Sequence, residues 1–205
     1  VTVSAITPID IDLLGAAATM NDVINAIQTA TGGSVTTTIG VSDSTATAVV
    51  VQPDGMIVTA GTAFTGSNAN FALARYSPTG ALDTNFDIDG IVFTPIQSVN
   101  AYALAIALQP DGKIIAAGYV NNGPDSDFAV VRYNPNGTLD TTFDGDGIVT
   151  TPVQSLADIA TSVAVQPDGK IVVAGSSESP GYDFAVVRYN ADGSLDLSFD
   201  GDGKV

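Results

Sequence analysis

The chain is a succession of short apolar segments punctuated by turn-forming residues. Residues 46–52 (ATAVVVQ) alternate into Pro53-Asp54-Gly55, and residues 56–61 (MIVTAG) follow as a second apolar run. A polar stretch at 62–70 precedes 71–76 (FALARY), which is closed by Ser77-Pro78-Thr79-Gly80. Residues 82–87 (LDTNFD) then lead through Gly90 into 91–96 (IVFTPI). Short runs rich in Val, Ile, Phe and Tyr, bounded by Gly, Pro and Asp and lacking a helical period, predict four strands in an antiparallel meander. Proline fixes φ, aspartate bonds its own backbone and glycine accepts a positive φ, so Pro-Asp-Gly predicts a tight hairpin.

The same order recurs. QPDG stands at 52–55, 109–112 and 166–169, FALARY or FAVVRY at 71–76, 128–133 and 184–189, and LDxxFDxDG at 82–90, 139–147 and 195–203. The step between QPDG copies is 57 residues. The β region, 43–205, therefore divides into three units at about 46–102, 103–159 and 160–205. A four-stranded meander repeated at this length is the pattern of a β-propeller blade. The predicted fold is mainly β: three tandem blade-like units, with a small N-terminal segment containing one helix.

Residues 10–42 stand outside the repeat. Thr19 can cap a helix with Asp22 three residues on; Met20, Val23, Ile24 and Ile27 share a face, and Gly32-Gly33 stops it. GSVTTTIG (33–40) reads as a strand. Ahead of this insert, residues 2–9 (TVSAITPI) form an N-terminal strand ending in Thr7-Pro8-Ile9, which matches Thr94-Pro95-Ile96 and Thr151-Pro152-Val153. The third unit stops at Lys204-Val205, where the other two continue into a fourth strand, so segment 1–9 is its candidate complement. Val1 marks a processed terminus or an artificial boundary.

Composition narrows the function. Only 14% of residues are charged, well under the usual quarter or so, and mean hydropathy is +0.29. A surface this poor in charge tolerates contact with neighbours. The 21 Asp and one Glu outweigh three Arg and three Lys, giving a net charge of −16. That charge argues against nucleic acid or anionic lipid as a partner, and no segment is long and apolar enough to insert in a membrane. Without Cys or His there is no thiolate site and no imidazole general base.

The string QPDGKIVVAG…DFAVVRYNADGSLDLSFDGDGKV (166–205) closely resembles the bacterial delta-60 repeat, and with the other two copies the resemblance covers residues 46–205. It implies large, secreted or surface-attached proteins with propeller-like folds and no assigned catalytic chemistry. That repeat commonly has Gly where this chain has Asp87, Asp144 and Asp200, so the doubled acid is not one of its requirements. IDIDLLG…MNDVINAIQTATGG resembles the short modules inserted in flagellar hook and filament proteins; the other reading is an ordinary helix packed over a sheet edge.

Two constellations carry candidate chemistry. Asp87 and Asp89, Asp144 and Asp146, and Asp200 and Asp202 form D-x-D-G loops that could offer oxygens to Ca²⁺, a cation that takes about six to eight of them. The same residues also make good turns, and no copy has a closing Glu. Arg75, Arg132 and Arg188, one per unit, call for a carboxylate, and Asp83, Asp140 and Asp196 are the expected structural ion-pair partners. An anion-binding ring is the sharper alternative. Asn136-Gly137-Thr138 matches a glycosylation acceptor on a turn.

Paired acids could serve a glycosidase or lyase, but catalytic pairs are unique and these are copied three times, so no enzyme is expected. The expected function is a non-catalytic extracellular or cell-surface protein that self-associates into a homopolymer through its repeats and strand exchange. A monomeric, Ca²⁺-dependent adhesive or ligand-binding segment, with a surface glycan as possible partner, is the alternative.

Overall fold

The computed structural model describes residues 37–41, 43–123 and 125–205. The strand predicted over 1–9, the helix begun at Thr19 and the start of the strand over 33–40 lie outside the described residues. Its described part, 37–40, is not strand: the chain turns at Gly40 (φ 76°), and Val41 N–H donates to Phe64 C=O at 2.9 Å.

Eleven strands are described, and no helix is found among the described residues. The first sheet is β1 (Ser44–Val51), β2 (Ile57–Phe64), β3 (Ala69–Tyr76) and β4 (Ile91–Thr94). The second is β5 (Ala101–Leu108), β6 (Ile114–Asn121), β7 (Ser126–Tyr133) and β8 (Ile148–Thr151). The third is β9 (Asp158–Val165), β10 (Ile171–Glu178) and β11 (Tyr182–Tyr189). Each is an antiparallel meander in chain order. The fold is mainly β, with one blade-like sheet per sequence unit.

The first hairpin of each unit closes as its turn residues dictate. Gly55 N–H donates to Gln52 C=O at 2.8 Å, Gly55 takes a φ of 83°, and the Asp54 carboxylate accepts from Met56 N–H at 3.0 Å. The second hairpin differs from expectation. The polar stretches at 62–70, 119–127 and 176–183 are mostly paired strand, because β2 and β3 stay in register from Ile57↔Tyr76 out to Phe64↔Ala69, and β6 with β7 and β10 with β11 do likewise. The open loops shrink to about three or four residues each. A ligand site built on long variable loops has little loop to use.

The units stack face to face. Val58, Ala60, Phe71, Leu73 and Phe86 of the first pack on Ala103, Ile114, Ala116, Val131 and Tyr133 of the second. Ile115, Ala117, Phe128, Val130 and Phe143 of the second pack on Ala160, Ile171, Val173, Val187 and Tyr189 of the third. The middle sheet is buried on both faces, and successive residues Ile114 to Ala117 are all 0% exposed. A fully covered strand of this kind reads as continuous apolar sequence, as KIIAAG does.

Candidate functional site

The same apparatus recurs in every unit around its single arginine. The last strand of each hairpin pair ends in Arg-Tyr, the turn after it folds back, and LDxxF brings an aspartate and a phenylalanine beside the guanidinium. Arg75 meets the Asp83 carboxylate at 2.7 Å and lies 4.7 Å over the Phe86 ring. Arg132 meets Asp140 at 2.6 Å and Phe143 at 4.6 Å; Arg188 meets Asp196 at 2.6 Å and Phe199 at 4.6 Å. All three expected pairs are thus brought together, with a cation–π contact that the sequence reading omitted. An arginine ring open to an external anion is not what the geometry presents, since each guanidinium is engaged by a carboxylate of its own unit.

The acids are correspondingly tuned. Burial works against the charge on Asp140, but hydrogen bonds from Lys113 and from the Thr142 hydroxyl and N–H, with the Arg132 charge, outweigh it and hold the carboxyl well below the usual range. For Asp196 the Ser198 hydroxyl contributes most, against burial and with help from Lys170, the Ser198 N–H and Arg188. A group whose folded pKa is depressed contributes stability that is present above its unfolded pKa, near 4, and lost as pH falls below it. The melting temperature of Asp140→Asn is therefore expected to lie furthest below that of the parent at neutral pH. The gap should narrow as pH drops through about 4. Calorimetry of both chains across that window checks it, and a gap independent of pH would contradict the assignment.

The arginine also ties each unit to the next. Arg75 Nη1 donates to Pro135 C=O at 2.7 Å, and Arg132 Nη1 donates to Ala191 C=O. Beside it, Asp87 N–H donates to Asn136 C=O at 2.6 Å and Asp144 N–H to Asp192 C=O at 2.7 Å. The acceptor turn's glycine sits against the preceding unit's ring: a Cβ on Gly137 would lie 3.1 Å from Phe86, and one on Gly193 would lie 3.1 Å from Phe143. Within the same junctions, hydroxyls pair between units, Thr94 with Tyr133 and Thr151 with Tyr189, each at 2.7 Å. Burial pushes both phenols above their ordinary range, against the pull of those threonines. Each tyrosine's threonine is the residue of the Thr-Pro-Ile/Val triplet.

The D-x-D-G loops divide their two acids between different tasks. Asp87, Asp144 and Asp200 adopt φ of 55°, 51° and 51°, a left-handed conformation that glycine takes freely and aspartate tolerates better than most. Glycine would meet the same backbone demand at these positions. Asp89, Asp146 and Asp202 instead accept the N–H two residues on, at 3.0, 2.8 and 2.9 Å. Among the described residues no three acidic side chains gather as a metal site. Asn136 is exposed, and its side-chain oxygen accepts from Thr138 N–H and Oγ1 at 3.2 and 2.8 Å. Lys204 and Val205 lie beside β11, whereas Thr7, Pro8 and Ile9 lie outside the described residues.

Two roles were missed. Gly61, Gly118 and Gly175 face a bulged neighbour strand so closely that a Cβ would lie 1.9 Å from the carbonyl oxygen of Thr45, Tyr102 or Ile159. The recurrent AG at the end of each second run was the available signal. Asp158 was invisible because only the third unit has it: fully buried, it accepts Val153 and Gln154 N–H at 2.6 and 3.1 Å.

Residues 52–86, 109–143 and 166–199 each match one family model, described as a domain of unknown function (DUF5122) beta-propeller. No curated protein matches the chain. The matched stretches run from each hairpin turn to the phenylalanine under each arginine and together cover just over half of the sequence, one per stacked sheet; the chain belongs to this β-propeller repeat family.

Proposed function

We propose that the chain is a non-catalytic structural protein of the cell surface or exterior, which self-assembles into a filament, sheath or surface layer through its β repeats and strand exchange. Within its family we place it among the delta-60 repeats, on the QPDG, FAVVRY and LDxxFDxDG strings. The observation that carries the reading is the repeated junction: like sheets stack face to face, and the arginine of one unit bonds a turn carbonyl of the next. Within a unit, β3 and β7 are flanked by β4 and β8 as far as Phe71↔Thr94 and Phe128↔Thr151. Beside β11, Val187 bridges Lys204, and Val186 exchanges hydrogen bonds of 2.7 and 2.8 Å with Val205. A strand supplied by another copy would extend such an edge.

Residues 2–9 carry the Thr-Pro-Ile triplet whose threonine ends the fourth strand in the first unit, with Thr-Pro-Val in the second. Donated to the next copy, the segment makes a heterologous contact that does not close on itself, and such contacts propagate filaments. Deleting residues 1–9 is expected to abolish polymers in electron micrographs while leaving a folded monomer. Unfolding of the deletion variant would instead mean that the segment closes its own chain. Polymers and melting like the parent's would exclude both forms of exchange.

A further inference from the structure

The junction between the second and third units buries a carboxylate that no Lys or Arg neutralises. Asp158, at the start of β9, is 0% exposed. Its Oδ2 accepts the Val153 and Gln154 N–H groups, while Oδ1 is buried with no hydrogen-bond partner among the described residues. All six cationic side chains are placed elsewhere. Arg75, Lys113, Arg132, Lys170 and Arg188 pair with other aspartates, and Lys204 Nζ donates to Pro152 C=O at 3.3 Å. Burying a carboxylate without a counter-charge is strongly unfavourable. Capping two N–H groups needs only one oxygen, which a neutral asparagine would supply.

A second unpartnered oxygen lies beside the first. Ser177 on β10 pairs directly with Asp158, so the two side chains share a face, and the buried Ser177 hydroxyl also has no partner among the described residues. That face is the inner one, because Ala160 and Val173, two and four residues along, pack on the second unit. From the second unit, Asn121 and Ser126 stand on the same side of β6 and β7 as Ala117 and Phe128, which pack on the third. Ser126 Oγ donates to Asn121 Oδ1 at 2.7 Å. Ala69, the counterpart of Ser126, donates its N–H to Asn100, the counterpart of Ala157, so these oxygens lie at the Asp158 end of the contact.

The fold itself does not demand this polarity. At the first junction the places of Asp158 and Ser177 are taken by Ala101 and Val120, both 0% exposed, and those of Asn121 and Ser126 by Phe64 and Ala69. Four apolar residues there are four oxygen-bearing residues here. The rim adds negative charge. Asp183 follows Ser177 in the same cross-strand row, and burial, then the charges of Asp158 and Asp125, push the Asp127 carboxyl above its ordinary range.

We infer that this end of the second junction is a cation site, where Asp158 Oδ1 and the Ser177 hydroxyl bind a small hard cation that takes oxygen ligands. A water would satisfy both oxygens but leave the buried charge in place. The site is separate from the D-x-D-G loops, whose second acids are spent on turn N–H groups. Self-assembly does not depend on it.

The test follows melting of the full chain at constant ionic strength, with tetramethylammonium, too large to enter, exchanged for Na⁺ or for Ca²⁺. The parent should gain at least about 5 °C with one of them, since the ion binds the folded chain and not the unfolded one. The ion that acts at the lower concentration is the one the site selects. Asp158→Asn, which keeps an oxygen for Val153 and Gln154 and removes the charge, should lose the gain. Ser177→Ala retains the carboxylate, and decides the matter if the Asn variant does not fold: it should raise the concentration giving half the gain at least threefold. Asp89→Asn, on an exposed loop, should keep the parent's gain. A parent that melts alike in all three salts overturns the site. So does a gain equal to the parent's in Asp158→Asn, or a half-gain concentration unmoved by Ser177→Ala. Loss of the gain in Asp89→Asn would place the ion on the loops and overturn it too.

Discussion

Replacing Gly118 with alanine is expected to destabilise the chain by about 3–5 kcal/mol and lower its melting temperature by roughly 10 °C. The added Cβ would lie 1.9 Å from the Tyr102 carbonyl oxygen and 2.9 Å from the Ala103 Cα. Both are backbone atoms, so no side-chain rotation relieves the clash. β5 would have to move off β6 at the bulge, where Ala103 and Ala105 pair with Gly118 and Ala117. That sheet is clamped between two others, and its β6 residues 114 to 117 are 0% exposed, so the displacement propagates into both cores. Gly145→Ala is the matched control. Its φ of 90° is unfavourable for alanine, yet nothing lies within 4 Å of a Cβ there, so it should cost only about 1 kcal/mol. Gly175→Ala should fall between them, because the third sheet has an open face towards which it can relax. Equal melting of the Gly118 and Gly145 variants would show that backbone conformation, and not the close strand approach, selects glycine at 118.

Arg132→Met should cost about 3 kcal/mol, from the loss of one partner of a buried pair. Arg132 is 4% exposed and serves three acceptors besides stacking on Phe143: the Asp140 carboxylate, the Thr142 hydroxyl and the Ala191 carbonyl in the next unit. Methionine keeps the stem and some contact with the ring but leaves Asp140 and the Ala191 carbonyl short of a donor. Lys113, 2.9 Å from Asp140, remains and keeps the loss at the low end of the range for buried pairs. Arg188→Met should cost less, about 1–2 kcal/mol, because Arg188 is more exposed and makes no bond to a following unit among the described residues. The difference between the two, read by denaturant titration, measures the latch between units. A variant at 132 as stable as the parent would remove the structural role and return the arginines to a ligand-binding reading.

The repeat, its period and the mainly β architecture were legible in the sequence because each unit repeats the same local decisions. Alternation places the strands, and Gln-Pro-Asp-Gly closes a hairpin wherever it occurs, since the φ preferences of those residues act within about four positions. The arginine–aspartate pairs were legible for a related reason: a lone recurrent Arg at the end of a buried strand has few ways to be neutralised, and one Asp recurs eight residues on. The hairpins at 62–70, 119–127 and 176–183 were harder. Their polar residues look like loop until strand pairing, a non-local interaction, extends the ladder through them.

By itself, then, the sequence determined three like β units, their turns and their internal ion pairs, all of which depend on residues close along the chain. Only the tertiary structure decided what joins one unit to the next. The third donor of Arg75 reaches a carbonyl 60 residues away, and Thr94 finds Tyr133 across 39. No spacing within one unit encodes those partners, because the same residue, Arg188 or Phe184, is satisfied or left open according to whether another sheet lies on its face.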